Sequence, residues 1–83
     1  MIKFFLNEIL EELNISQTGF AKQADIRPNT INDICNNRTK RIEISTLNQI
    51  MKVLNELNED SYNINDLISY SNEIEKIYKR TKE

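Results

Sequence analysis

The side chains best suited to binding chemistry are concentrated between residues 27 and 41, and comprise Arg27, Asn29, Asn32, Arg38, Lys40 and Arg41. Guanidinium and carboxamide groups present planar sets of hydrogen-bond donors and acceptors, and the cations add charge. The surrounding segment 17–41 has five basic residues against two acids, a net of +3, whereas segment 42–75 has a net of −6. Local potential steers association, so the overall net charge of −2 does not argue against an anionic partner.

The composition argues against catalysis. The 83 residues contain no histidine, one cysteine and one glycine. These counts remove the commonest general base and zinc ligand, any internal disulfide or multi-cysteine metal cage, and any glycine-rich phosphate loop. We therefore expect a protein that is not an enzyme, with no metal, no cofactor and no small-molecule substrate.

The sequence also contains no run of about 18 apolar residues, which a membrane-spanning helix requires. The apolar start of the chain is interrupted by Asn7 and Glu8 before it could form a signal-peptide core. We expect a cytoplasmic protein without a membrane partner. Cys35 is interpreted as a half-buried small apolar residue, and the alternative is a redox sensor with an exposed thiolate.

Apolar residues recur at helical spacing and proline is nearly absent, so the chain is predicted to be all-α. Helices are predicted over residues 3–13, 17–24, 28–36 and 44–57, with a fifth that begins at Asn63 and a helix that continues to about residue 81. The residues expected to face the core are Phe5, Leu6, Ile9, Leu10, Leu13, Phe20, Ala21, Ala24, Ile31, Ile34, Leu47, Ile50, Met51, Leu54, Ile64, Leu67 and Ile68.

Several residues mark the helix ends. Ser16 is a suitable N-cap for the second helix, Pro28 is favoured in the first turn of the third, and Asn37 is a suitable left-handed residue after it. Asn63 and Asp66 form a pair that resembles a capping box. Two short helices joined by a three-residue turn, the second of them mostly polar, are the outline of a helix-turn-helix module.

The string from Ser16 to Ile31, SQTGFAKQADIRPNTI, together with NNRTKR at residues 36–41, resembles the Cro/CI-type helix-turn-helix family. The resemblance covers roughly residues 3–70. It implies a compact five-helix, lambda-repressor-like domain that binds operator DNA, usually as a dimer, with the third helix in the major groove. Gly19 departs from the family, which usually has glutamate there, and Asp25 and Asn37 stand where the family usually has glycine.

Base reading is assigned to the exposed face of the third helix. Arg27 can bind guanine through two hydrogen bonds, and Asn29 or Asn32 can pair with adenine. Thr30 can offer its methyl group to thymine or its hydroxyl to phosphate. Asp33 can accept from a cytosine amine or hold Arg27 or Arg38 in place, and we favour the second role.

Phosphate binding is assigned to two places. Gln17 begins the second helix, where backbone amides and its side-chain amide suit an anion, and family members use the matching position in this way. The other set follows the third helix and consists of Asn36, Arg38, Thr39, Lys40 and Arg41.

Residues 1–70 are predicted to form the DNA-binding domain and residues 71–83 a helical tail. Leu67, Tyr70, Ile74, Ile77 and Thr81 recur at spacings of three and four, which predicts an apolar stripe. This stripe either joins two subunits of a homodimer or packs back on its own domain.

The leading hypothesis is a sequence-specific regulator of transcription, a repressor, that binds a palindromic site in double-stranded DNA as a dimer. The alternative is a protein-interaction module, such as an antitoxin or a regulatory subunit that binds a partner protein. The acidic segment 42–75 and the apolar stripe of the tail are the features that favour this alternative.

Overall fold

The computed structural model describes residues 1–58 and 61–70. In chain order these residues form β1 (Ile2–Phe4), α1 (Leu6–Leu13), α2 (Gln17–Ala24), α3 (Pro28–Cys35), α4 (Ile44–Leu57), α5 (Ile64–Leu67) and β2 (Ile68–Tyr70). The described part of the chain is mostly helical, which confirms the predicted fold class. The two short strands are an addition to it.

The local signals position the central helices correctly. The bounds of α2 and α4 are those predicted, and α3 ends at Cys35, one residue before the predicted end. Ser16 caps α2, since its Oγ accepts a hydrogen bond of 2.9 Å from the backbone N–H of Gly19. The carboxylate of Asp66 accepts one of 2.8 Å from the backbone N–H of Asn63 at the start of α5.

The first three helices end in the same way, without glycine. Asn14, Asp25 and Asn37 follow them with φ values of 60°, 59° and 58°. The next residue along then donates its N–H to a carbonyl five residues back, in the pairs Ile15–Leu10 at 3.0 Å, Ile26–Ala21 at 2.9 Å and Arg38–Asp33 at 2.8 Å. Asparagine and aspartate tolerate the left-handed conformation better than other L-residues, which explains how a chain with a single glycine makes these turns.

The two ends of the described chain correct the predicted helices. The first helix was predicted to begin at residue 3 but begins at Leu6, and residues 68–70 do not continue the fifth. Residues 2–4 and 68–70 instead pair as an antiparallel sheet, with Ile2 opposite Tyr70 and Phe4 opposite Ile68. Isoleucine and aromatic residues suit a strand, and a short apolar run does not distinguish the two periodicities. The rest of the predicted C-terminal helix, residues 71–83, lies outside the described residues.

One apolar core joins all five helices and β1. The buried residues are Phe4, Leu6, Ile9, Leu10, Phe20, Ala21, Ala24, Ile31, Ile34, Cys35, Ile50, Val53, Leu54 and Leu67. Phe4 and Val53 were not predicted, and Ile64, predicted to face inward, is 47% exposed. Phe5, Leu13, Leu47, Met51 and Ile68 are only half-buried. Of the helices described, none combines the length and apolar character needed to cross a bilayer.

Candidate nucleic-acid interface

α2 and α3 pack closely and present one face of α3 outward. Ala21 and Ala24 are fully buried, and their small side chains let the two helices approach each other. The other face of α3 buries Ile31, Ile34 and Cys35. The turn between the helices runs from the left-handed Asp25 to Arg27, whose backbone is extended. This arrangement is the helix-turn-helix geometry predicted from the sequence, with a polar helix face left toward solvent.

The first half of that outward face consists of Arg27, Asn29 and Thr30. Arg27 and Asn29 are exposed and Thr30 is half-buried. Within residues 1–58 and 61–70, no hydrogen bond involves their side chains. Arg27 also serves as the N-cap residue of α3 through its backbone, whose carbonyl accepts from the N–H of Ile31 at 3.2 Å. A ligand can therefore bind these three side chains without displacing a protein partner.

The second half is tied by a chain of hydrogen bonds that we call the Asn32 network: Asn7, Gln17, Asn32, Asp33 and Arg38. The Arg38 guanidinium donates through Nη2 to Oδ1 of Asn32 at 2.6 Å. Nδ2 of Asn32 donates to Oε1 of Gln17 at 2.9 Å, and Nε2 of Gln17 donates to Oδ1 of Asn7 at 3.4 Å. The network thus connects α1, α2, α3 and the loop that follows α3.

Asp33 supports Arg38 from a second side. Its Oδ1 accepts from Nε and Nη2 of Arg38 at 3.4 Å and 3.2 Å. The two side chains are 49% and 60% exposed, so the ion pair contributes at most about 1 kcal/mol to folding. Of the two roles foreseen for Asp33, holding an arginine is the one present in the free protein, with Arg38 as the partner. The role toward a cytosine amine stays a prediction.

Gln17 is the first residue of α2. The hydroxyl and carbonyl of Ser16 accept from the N–H groups of Gly19 and Phe20. The N–H groups of Gln17 and Thr18 lie in the first turn, where the helix has no carbonyl four residues earlier to accept from them. These amides and the positive end of the helix dipole favour an anion at this point.

The loop after α3 carries the remaining candidate cations. Lys40 and Arg41 are exposed, and with the half-buried Thr39 they line a shallow cleft against β1. Asn36 bonds through Nδ2 to the backbone oxygen of Asn32 at 2.9 Å. The structure therefore brings Gln17, Asn32, Asp33 and Arg38 into direct contact, whereas the side chains of Thr39, Lys40 and Arg41 have no hydrogen bond to that network among the described residues.

The family model of the Cro/C1-type HTH DNA-binding domain matches residues 6–73, well over half of the chain. The protein is a member of the Cro/C1-type helix-turn-helix family. No curated protein and no solved structure matches the chain. As a Cro/C1-type domain, the protein is a DNA-binding regulator whose ligand is double-stranded DNA.

Two residues of this Cro/C1-type domain matter more than the sequence indicated. The amide of Asn37 pairs with the backbone of Phe4: the N–H of Phe4 donates to Oδ1 at 2.6 Å, and Nδ2 donates to the carbonyl at 3.2 Å. Asn37 therefore anchors the basic loop to β1. Asn7 supports Gln17 from α1. The left-handed conformation of Asn37 was predicted from its position, but no local signal indicates either contact.

Cys35 lies on the buried face of α3 in this Cro/C1-type domain, with a side chain that is 6% exposed. Burial, and to a lesser extent the negative charge of Glu8, raises the pKa of its thiol from 9.0 to about 11. The thiol is therefore protonated near neutral pH, and a thiolate is the reactive form. These observations favour the interpretation of Cys35 as a small apolar core residue over that of a redox sensor.

Proposed function

We propose that this protein is a sequence-specific repressor that inserts α3 into the major groove of its operator. The observation that carries the proposal is the outward face of α3, where the side chains of Arg27 and Asn29 are exposed and make no hydrogen bond to any residue that the structure describes. An exposed polar side chain loses only water when it binds a base edge, so its hydrogen bonds contribute to discrimination between sequences.

Base reading is assigned to Arg27, Asn29 and Thr30. Arginine binds O6 and N7 of guanine, asparagine binds N6 and N7 of adenine, and the threonine methyl group contacts that of thymine. Each good two-bond contact is expected to contribute about 1–3 kcal/mol of discrimination. Asn32 and Asp33 belong to the same candidate surface, but their polar atoms bond within the protein.

Phosphate binding is assigned to both sides of α3. Gln17 and the first amides of α2 face one backbone strand, while Arg38, Lys40 and Arg41 supply cations on the other side, with Asn36 and Thr39 as uncharged donors. These contacts carry no sequence information directly; they set the register of α3 on the duplex. They also make the affinity depend on salt, because each neutralised phosphate releases counterions.

Repression in this proposal is steric and takes place in the cytoplasm: the bound protein occupies the operator. The unit that binds is a homodimer of two 1–70 domains joined through residues 71–83, since one recognition helix seldom supplies enough specific contact. Two copies of α3 about 34 Å apart would read a palindromic site with half-sites one helical turn apart.

Selection of bound fragments from random duplex DNA tests this function. The expected result is a single motif made of two inverted half-sites about 10 base pairs apart, with affinity that falls steeply with salt. A motif with one half-site would contradict the proposed dimer but would support the proposed reading of DNA sequence. Binding that shows no preference among duplexes, or no binding at all, would contradict the proposed function.

A pair of variants separates the two classes of contact on the selected duplex. Lys40→Gln is expected to weaken binding to all sequences alike and to reduce the slope of log K against log salt by about 0.9. Asn29→Ala is expected to relax the preference at one base pair and to leave that slope unchanged. Equal effects of the two variants on sequence preference would show that this assignment of roles is wrong.

A further inference from the structure

The Asn32 network runs in one direction across the interface. Its three bonds begin at the Arg38 guanidinium. Asn32 and Gln17 each accept through oxygen and donate through nitrogen, and the side-chain oxygen of Asn7 accepts the last bond. Hydrogen bonds in such a chain polarise one another, and a cation at its donor end strengthens the first acceptor contact. Through Asn32, the chain joins Gln17 and Arg38, which belong to the two places to which phosphate binding is assigned.

We propose that Asn32 is a positioning residue that couples Gln17 to Arg38, so that the phosphate contacts of these two residues form as one unit. The inference rests on the proposed DNA-binding function and gives Asn32 a different role from its neighbour Asn29. Asn29 reads a base, whereas Asn32 holds in place the residues that bind phosphate.

The difference in environment between the two asparagines supports this division. Asn29 is exposed, and the described structure contains no hydrogen bond to its side chain; Asn32 is half-buried, with Nδ2 and Oδ1 both bonded inside the protein. Recognition of adenine uses the donor and the acceptor of one amide together. For Asn32, turning both toward a base would break two protein bonds and leave Gln17 and Arg38 without them.

Arg38 is the residue that gains most from being held. Its side chain is 60% exposed, and a free arginine has many rotamers to lose on binding. Asn32 and Asp33 hold the guanidinium in one orientation before DNA arrives. Orientation in advance lowers the entropic cost of the contact with phosphate, which is the general benefit of a preorganised site.

A double-mutant cycle tests the coupling. Asn32→Ala, Arg38→Ala and the double variant are titrated with the selected duplex and with all of its single-base-pair substitutions, at several salt concentrations. Asn32→Ala is expected to weaken binding to every duplex by one factor, to keep the order of base preference, and to lower the salt slope. The double variant is expected to bind at least about twofold more tightly than the product of the two single effects predicts.

Two further variants and one measurement on the free protein complete the test. Asn29→Ala is the matched control, expected to change the preference at one base pair with an unaltered salt slope. Gln17→Ala replaces Asn32→Ala at the other end of the contact if the latter fails to fold, as monitored by urea unfolding, and is expected to show the same non-additivity with Arg38→Ala. In the free protein, Asn32→Ala is expected to shift the Nη2–H resonance of Arg38, the group that donates to Asn32, and to speed its exchange with water.

The outcomes separate this inference from the proposed function. A loss of preference at one base pair by Asn32→Ala, with effects that multiply with those of Arg38→Ala, would overturn the inference and make Asn32 a base reader. Failure of the unmodified protein to bind any duplex would contradict the proposed function itself. In that case the Arg38 resonance still reports on the contact in the free protein, and an unchanged resonance would overturn the positioning role as well.

Discussion

The two ends of α3 differ in how their side chains are held. At the N-terminal end, Arg27, Asn29 and Thr30 make no side-chain hydrogen bond within the described residues. At the C-terminal end, the side chains of Asn32, Asp33, Asn37 and Arg38 bond to α2, to β1 or to one another. According to these side-chain hydrogen bonds, we call the N-terminal end of α3 the free end and the C-terminal end the anchored end.

Under the proposed function, this difference separates two tasks, base reading and positioning of the helix, along residues 27–38. A side chain that reads a base must be able to exchange water for a base edge without breaking bonds inside the protein. A side chain that fixes the register of the helix is more effective when its position is already set. The predictions below test this contrast between the free and the anchored end, first in stability, then in sequence preference, then in affinity.

The largest effect is expected where the anchored end joins β1. Asn37→Gly keeps a residue suited to the left-handed conformation but removes both hydrogen bonds to Phe4. Since these leave a backbone N–H and C=O of Phe4 without their partner, unfolding free energy should fall by about 2–4 kcal/mol. Urea denaturation monitored by circular dichroism measures the change.

Asp25→Gly is the matched control, because Asp25 adopts the same conformation after α2 as Asn37 does after α3, and its side chain makes no hydrogen bond in the described structure. It also removes an acid from the C-terminal end of α2, where the helix dipole disfavours negative charge. Its stability should change by less than about 1 kcal/mol, toward greater stability. Similar losses in both variants would show that Asn37 contributes through its backbone alone.

A smaller effect is expected at the free end. Arg27→Lys keeps the charge but loses the two-bond fork that matches guanine. Discrimination at one base pair should fall by about 1–3 kcal/mol, roughly 5- to 150-fold in relative affinity, while the salt slope stays the same. Competition binding with single-base-pair variants of the selected duplex measures this. A uniform loss over all duplexes would instead place Arg27 with the phosphate contacts.

The smallest effect is expected from Asp33→Asn. The change removes a negative charge from the surface that faces DNA and keeps an oxygen that can accept from Arg38. Affinity for every duplex should rise by about 1.5- to 5-fold, the range that corresponds to a surface charge interaction of about 0.2–1 kcal/mol. Equilibrium titration at fixed salt measures it. Weaker binding confined to sites with cytosine at one position would show that Asp33 reads that base.

The helices that position the interface were predictable because their signals are local. Ser16, Pro28 and the apolar spacing predicted α2 and α3 to within a residue, and the left-handed Asn37 was inferred from its position after α3. The candidate residues were chosen from their residue types and from their positions relative to the predicted helices. Which of them are free and which are bonded to each other was not predictable, since Gln17 and Asn32 are fifteen residues apart and meet only when α2 packs on α3.

The two strands, at the two ends of the described residues, were missed for a related reason. Residues 2–4 and 68–70 are too short to show a periodicity, and each forms a strand only because the other is beside it. Strand pairing is decided by a partner far along the chain, whereas a helix satisfies its own backbone hydrogen bonds within four residues.

The amino-acid sequence by itself determined the helical class, the polar face of α3 and the clustering of positive charge around it, because these depend on neighbours within a few residues. Tertiary structure decided that Asn37 anchors β1 and that Asn32 joins Gln17 to Arg38. An amide side chain can donate and accept toward almost any polar group. Its role is therefore set by which group the packing of the helices brings within hydrogen-bond distance.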